Sequence, residues 1–147
     1  MQANSIGVGY FVDTLRVPKQ VLIADDSSIV RDIIKAFLKQ RSDLEICGEA
    51  ADGLEAVEKA RALKPDLVLL DLSMPEMNGA EAASVLKKMM PNVRIIIFTM
   101  YSENIGRYLT SAIGVDAVLS KPDGMSALLE TVAAVLTRNS GPTTIVD

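Results

Sequence analysis

Short β-branched runs alternate with longer segments of helical spacing from Lys19 onward. Residues 21–24, 44–47, 67–70, 93–98 and 115–119 read as five strands, and three of these are continuous apolar runs, the pattern of strands covered on both faces. Between them lie five amphipathic stripes: Ile29, Ile33, Ala36 and Phe37; Leu54, Val57 and Ala60; Ala82, Val85, Leu86 and Met89; Ile105, Tyr108, Leu109 and Ala112; and Met125, Leu128, Leu129, Val132 and Val135. Pro65 follows the second stripe, Pro91 the third and Gly114 the fourth, and Asp123 or Gly124 opens the fifth. Strands alternating with helices in a short chain predict a doubly wound α/β fold, a parallel sheet with helices on both faces and right-handed crossovers.

The domain is expected to span residues 19–138. Residues 1–18 form an N-terminal extension whose run Gly7-Val8-Gly9-Tyr10-Phe11-Val12 suits an extra strand, a swapped arm or a flexible leader, the last favoured because termini fray unless tied down. Residues 139–147 form a C-terminal tail of linker composition.

Composition narrows the chemistry. The 147 residues include no histidine, no tryptophan and one cysteine, which excludes imidazole bases and Cys/His metal clusters. A net charge of −4 supplies no basic field for phosphates, so direct nucleic-acid binding by this chain is not expected. Cys47 has no internal disulfide partner and fits a reducing compartment, the cytoplasm. No segment approaches the ~18 apolar residues of a membrane span.

Ligands of an open doubly wound sheet lie beyond the carboxyl ends of its strands. The polar residues there are Asp25-Asp26 after the first strand, Asp71 after the third, Thr99 after the fourth and Ser120-Lys121 after the fifth. Taken singly, Asp25, Asp26 and Ser27 suit a helix N-cap, Asp71 a turn, Thr99 a strand end and Lys121 a solvated lysine. Their coincidence at four strand ends favours a site. Three bunched carboxylates call for a cation, and an all-oxygen donor set suits Mg²⁺. Asp71 then offers a carboxylate nucleophile, with Thr99 and Lys121 placed for phosphoryl oxygens.

These residues resemble the receiver domain of two-component response regulators. The resemblance runs from about Lys19 to about Arg138 and is carried by Ile23-Ala24-Asp25-Asp26-Ser27, Ala51-Asp52-Gly53-Leu54-Glu55-Ala56, Pro65-Asp66-Leu67-Val68-Leu69-Leu70-Asp71-Leu72-Ser73-Met74-Pro75-Glu76-Met77-Asn78-Gly79, Ile97-Phe98-Thr99 and Ser120-Lys121-Pro122. It implies a flavodoxin-like strand order 2-1-3-4-5. It further implies that Asp71 accepts a phosphoryl group, that Asp26 and Asp71 ligate Mg²⁺ directly, that Asp25 helps through water and that Ser73 supplies a backbone carbonyl. Thr99 would hydrogen-bond the phosphoryl group, Lys121 would pair with it, and Lys121-Pro122 would be a cis peptide. Glu49-Ala50-Ala51-Asp52-Gly53 and Ile96-Ile97-Phe98-Thr99-Met100 look most like receivers that carry a helix-turn-helix output domain.

Two positions depart from the family pattern. Val118 stands where an aromatic residue usually does, and Met100 where a small one is common, so signalling is expected to use other changes on the fourth helix, fifth strand and fifth helix. That face is also the candidate homodimer surface. Ser73, two beyond Asp71, and Tyr101, two beyond Thr99, are expected to set the lifetime of an aspartyl phosphate, Tyr101 by screening it from water, so that a Tyr101→Ala variant would lose the group faster. The expected partners are a histidine kinase or histidine phosphotransfer protein as donor and a downstream protein as receiver of the signal. The alternatives are a magnesium-dependent phosphohydrolase with an aspartyl nucleophile, or a phosphate sink in a relay. The first is disfavoured because Ser73 occupies the place of that class's second acid. The chain is therefore not expected to be an enzyme beyond its own phosphorylation and dephosphorylation.

Overall fold

The computed structural model describes residues 17–100 and 103–138. The elements run β1 (Lys19–Ala24), α1 (Ser28–Leu38), β2 (Leu44–Ala50), α2 (Gly53–Leu63), β3 (Leu67–Asp71), α3 (Gly79–Met89), β4 (Arg94–Thr99), α4 (Glu103–Tyr108), β5 (Ala117–Ser120) and α5 (Lys121–Thr137). The strands form one parallel sheet in the order β2-β1-β3-β4-β5, the doubly wound order expected.

Side-chain alternation divides the sheet between two cores. Leu22, Val68, Leu70, Ile95 and Ile97 point to one face, where α2 and α3 deliver Ala56, Val57, Ala60, Ala82 and Leu86. Val21, Ile23, Leu67, Leu69, Ile96 and Phe98 point to the other, where α1 and α5 deliver Ile34, Leu38, Leu128, Val132 and Val135. Every residue of β3 is buried, as the apolar run Leu67-Val68-Leu69-Leu70 requires of a central strand.

The helices start on side-chain caps. Ser27 Oγ accepts from the Val30 N–H (3.2 Å), Asp52 Oδ1 from the Glu55 N–H (2.7 Å), and Asn78 and Glu81 exchange a reciprocal capping box. Beyond α4, residues Leu109–Ile113 widen into a turn in which the Gly114 N–H donates to Leu109 O (3.1 Å), and Gly114 ends it at φ 89°.

Several sequence expectations need correction. The buried face of α1 carries Ile34 and Leu38, with Val30 and Phe37 packed beside them, whereas Ile29 is 71% and Ile33 43% exposed. The apolar doublets at 29–30 and 33–34 fit a helical period in either phase, and the true phase lies one residue later. Tyr108 is exposed although it shares a stripe with buried Leu109, and Leu54 is likewise exposed. Helix α5 begins at Lys121, before Asp123 and Gly124. The implied cis Lys121-Pro122 bond is not seen: no cis peptide occurs among the described residues, and the proline lies in the first helical turn, where its missing N–H costs nothing. The expectations for residues 1–16, Tyr101 and residues 139–147 lie outside the described residues.

Candidate functional site

The carboxyl ends of β1 and β3 bring three acids together. One carboxylate oxygen from each of Asp25, Asp26 and Asp71 lies within 4.8 Å of the others. Asp71 is the last residue of β3 and stays in the ladder opposite Phe98, so its carboxylate starts from a fixed backbone. Asp25 follows β1 and is buried; Asp26, one residue on, is exposed. A strand turning into a helix puts consecutive side chains in different environments, and here it provides one acid to the interior and one to the rim.

Lys121 enters from the carboxyl end of the edge strand β5, two strands from Asp71. Its Nζ lies 3.1 Å from Asp71 Oδ1 and 2.9 Å from Asp25 Oδ2, the latter an ion pair without the alignment of a hydrogen bond. Asp25 Oδ1 accepts from the Ser27 N–H (2.9 Å) and Asp71 Oδ1 from the Ser73 N–H (3.3 Å). Thr99 ends β4, buried and paired with Ser120 in the ladder, and thus lies one residue beyond the Asp71–Phe98 pair.

Electrostatics follow from burial and neighbours. Burial and then the Asp25 charge push the Asp71 carboxyl above its ordinary value, against the pull of Lys121. Burial alone would lower the Lys121 pKa, but the Asp25 and Asp71 carboxylates outweigh it and hold the ammonium above the usual lysine value. The site therefore holds a charged lysine beside an acid cluster with unmet demand for positive charge.

The residues fit a hard divalent cation. All donors are oxygens, three carboxylates converge, and the buried Asp25 Oδ2 lacks an aligned hydrogen-bond donor. A cleft of about 570 Å³ opens between the loop after β3 and α4, lined by Asp26, Ser73, Met74, Asn78 and Tyr108 among others, so the rim of the cluster is reachable from solvent.

The loop between β3 and α3 is shaped by backbone demands that only the family motif had marked. A Cβ at Gly79 would stand 2.3 Å from Asp71 O, and one at Gly53 would stand 2.0 Å from Met77 O. Glu76 adopts φ 67°, the left-handed region uncommon for a residue with a side chain. Two further residues beside the site escaped sequence reasoning. Arg31 Nη1 donates to Asp25 O, and Arg31 Nε lies 2.9 Å from Glu49 Oε1. They are 18 positions apart on different elements, so no local spacing marks them. Val118 of β5 lies under α4, where a Cβ at Gly106 would stand 3.6 Å from Val118 Cβ.

Comparison with known proteins agrees with the geometry. The family model for the response regulator receiver domain matches residues 21–133. Response regulator protein VraR of Staphylococcus saprophyticus is 39% identical over 116 residues, covering 79% of this chain and 56% of that protein. VraR of Staphylococcus aureus is 38% identical over 113 residues, covering 77% and 54% respectively. The chain thus spans little more than half the length of the curated relatives it matches. Among solved structures, the response regulator domain of Thermotoga maritima CheB superposes with a TM-score of 0.76 at 32% identity, covering 84% of this chain and 99% of that one. A LuxR-family DNA-binding response regulator from Staphylococcus aureus superposes with a TM-score of 0.75 at 28% identity, covering 81% and 99%. A chain of the CheX-CheY-BeF₃-Mg²⁺ complex from Borrelia burgdorferi has a TM-score of 0.77 at 28% identity, covering 83% of this chain and 92% of that one. With five parallel strands in the order 2-1-3-4-5 and an acid cluster at their carboxyl ends, this chain belongs to the response regulator receiver domains of two-component systems.

Proposed function

We propose that this receiver is a phosphorylation-dependent switch whose acceptor is Asp71 and whose cation is Mg²⁺. The observation that carries the reading is the placement of Asp71: buried at the end of the central strand, grouped with Asp25 and Asp26, and 3.1 Å from the Lys121 ammonium.

Asp25, Asp26 and Asp71 would hold Mg²⁺, with Ser73 adding its backbone carbonyl. The ion supplies charge neutralisation for the carboxylates and for a phosphoryl group. An Asp71 carboxylate oxygen attacks phosphorus, the bond from phosphorus to the donor's nitrogen or acyl oxygen breaks, and the leaving group departs with that electron pair. Lys121 and Thr99 serve the phosphoryl oxygens, the first as a cation and the second through its hydroxyl. The chain contains no histidine, so the phosphoryl group comes from a histidine outside these 147 residues, that of a kinase or phosphotransfer protein, or from a small acyl phosphate.

The added ≈ −1.5 to −2 charge is read by a downstream protein, and the α4–β5–α5 face is the surface we assign to that output and to homodimerisation. Output by binding, rather than turnover of a small phosphate ester, matches Ser73 standing where a hydrolase would need a second acid. No helix among the described residues is long and apolar enough to cross a membrane, and we place the protein in the cytoplasm.

The test is incubation with acetyl phosphate and Mg²⁺ followed by intact-mass measurement. Wild type is expected to gain one phosphoryl group and Asp71→Asn none. No gain in wild type, or an equal gain in the variant, would overturn the reading.

A further inference from the structure

Both peptides that flank the Asp25 Cα are held, the preceding one through its N–H and the one that leads to Asp26 through its carbonyl. The Asp25 N–H donates to Ala50 O (3.0 Å), and the Asp25 carbonyl accepts from Arg31 Nη1. The carbonyl belongs to the peptide plane from which Asp26 departs, so the guanidinium sets the direction in which Asp26 leaves the strand end. The two acids depend on this unequally. Asp25 is 1% exposed and bound by the Ser27 N–H and Lys121, whereas Asp26 is exposed and has no hydrogen bond or ion pair of its own among the described residues. The backbone alone orients Asp26.

Arg31 is itself fixed. Its Nε lies 2.9 Å from Glu49 Oε1, while Glu49 Oε2 lies 2.7 Å from Lys35 Nζ and the Glu49 carbonyl accepts from Lys59. Arg31 and Lys35 are four residues apart on α1 and so share the face turned to the end of β2. A lone guanidinium beside a cation site would repel the cation. The Glu49 carboxylate offsets that charge and leaves the hydrogen-bond donor in place.

The geometry points to Arg31, held by Glu49, as the positioning residue of the divalent-cation site: it orients Asp26 toward Asp25 and Asp71 without adding an uncompensated positive charge. This inference rests on the reading that the three acids bind Mg²⁺. Without Arg31 the Asp25 carbonyl loses its side-chain partner and the Asp25–Asp26 peptide can rotate, so the acids must be ordered at the moment of binding. Partners that orient ligands in this way typically contribute about 10–100-fold to metal affinity.

Isothermal titration of MgCl₂ into the full chain tests this, with wild type, Arg31→Ala, Arg31→Lys, Glu49→Gln and Asp26→Asn compared, and with thermal melts of each in EDTA. Arg31→Ala is expected to raise the Mg²⁺ Kd about tenfold or more, with Arg31→Lys recovering part of the loss because an ammonium can still donate to the carbonyl. Glu49→Gln is expected to weaken binding at low ionic strength and to approach wild type as KCl is added, the signature of an uncompensated charge. An Arg31→Ala affinity within twofold of wild type overturns the positioning role, and an unchanged Glu49→Gln affinity at low salt overturns the role of Glu49. If Arg31→Ala does not fold in EDTA, Arg31→Gln decides by the same criterion. Failure of wild type to bind Mg²⁺, or equal binding by Asp26→Asn, would instead defeat the reading of the acids as the cation site.

Discussion

The Lys121 ammonium stands between two buried carboxylates, 2.9 Å from Asp25 Oδ2 and 3.1 Å from Asp71 Oδ1. It arrives from the first residue of α5, whereas Asp25 directly follows β1 and Asp71 ends β3, so one cation ties the ends of three elements together. Removing one partner of a buried ion pair costs about 3–5 kcal/mol, and the 18% exposure of the Lys121 side chain places this site at the lower end. Lys121→Gln should therefore lose about 3 kcal/mol of stability in EDTA. Saturating Mg²⁺ should restore part of that loss by neutralising the same acids. Urea unfolding of both proteins with and without Mg²⁺ checks this; an equal deficit in the two buffers would count against it.

Asp71 supplies a pH dependence of its own. Its folded-state pKa lies above the ordinary value of 3.8, first because of burial and then because of Asp25. The folded protein thus binds this proton more tightly than the unfolded chain. The resulting stability is fully present below 3.8 and is lost as pH rises through the raised value. Asp71→Asn, which does not ionise, should exceed wild type in Tm at neutral pH without Mg²⁺, and the difference should shrink as pH falls toward 3.8. Melts across that range that show a constant difference would refute the assignment.

Gly79 leaves no room for a side chain. Its Cβ would meet Asp71 O at 2.3 Å and Leu72 Cα at 2.8 Å, both backbone atoms that a rotamer change cannot relieve. Gly79→Ala should cost at least about 2 kcal/mol, within the range for forced overpacking, and should weaken Mg²⁺ binding because the backbone that must yield carries Asp71. A variant with wild-type stability and Mg²⁺ affinity would show that the loop has slack the structure does not suggest.

Asp116 anchors the opposite end of the sheet. Its Oδ2 accepts from the Ile95 N–H (2.8 Å) and lies 3.1 Å from Lys87 Nζ, and its Oδ1 lies 3.6 Å from Arg94 Nη1, with the side chain 3% exposed. Asp116→Ala would leave the Ile95 N–H and two cations without this acceptor and should cost about 3 kcal/mol. Phosphoryl incorporation per folded molecule should be unchanged, since these contacts gather where β4 and β5 begin and Asp71 lies where β3 ends. Urea unfolding together with intact mass after acetyl phosphate treatment separates the two effects.

The sequence reading located all five strands but ended β2, β3, β4 and β5 before their last residues, and it began β4 one residue and β5 two residues too early; the early ends share a cause in several cases. Asp71, Thr99 and Ser120 are polar, so a hydrophobic pattern stops before them, yet the ladders run on through Asp71–Phe98 and Thr99–Ser120. Asp71 and Thr99, which extend β3 and β4, are thus themselves candidate site residues. On β2, edge exposure blurs the pattern, and the register slips so that Val21 faces Ile46 while Leu22 faces Gly48, which leaves Cys47 between paired positions with its thiol toward Val21 O (3.5 Å). No periodicity announces that. The acids and Lys121 were visible because strand ends are a general place for ligands, whereas Arg31 and Glu49 became visible only once α1 and β2 lay side by side.

Strand β3 contributes Val68 and Leu70 to one core and Leu67 and Leu69 to the other before it ends at Asp71. A displacement of this strand along its own axis therefore cannot be confined to one side of the molecule. Any mechanical strain that the acceptor imposes on β3 is divided between the α1–α5 layer and the α2–α3 layer. Two opposite surfaces of the protein are thereby available to report a single chemical event at the strand's end.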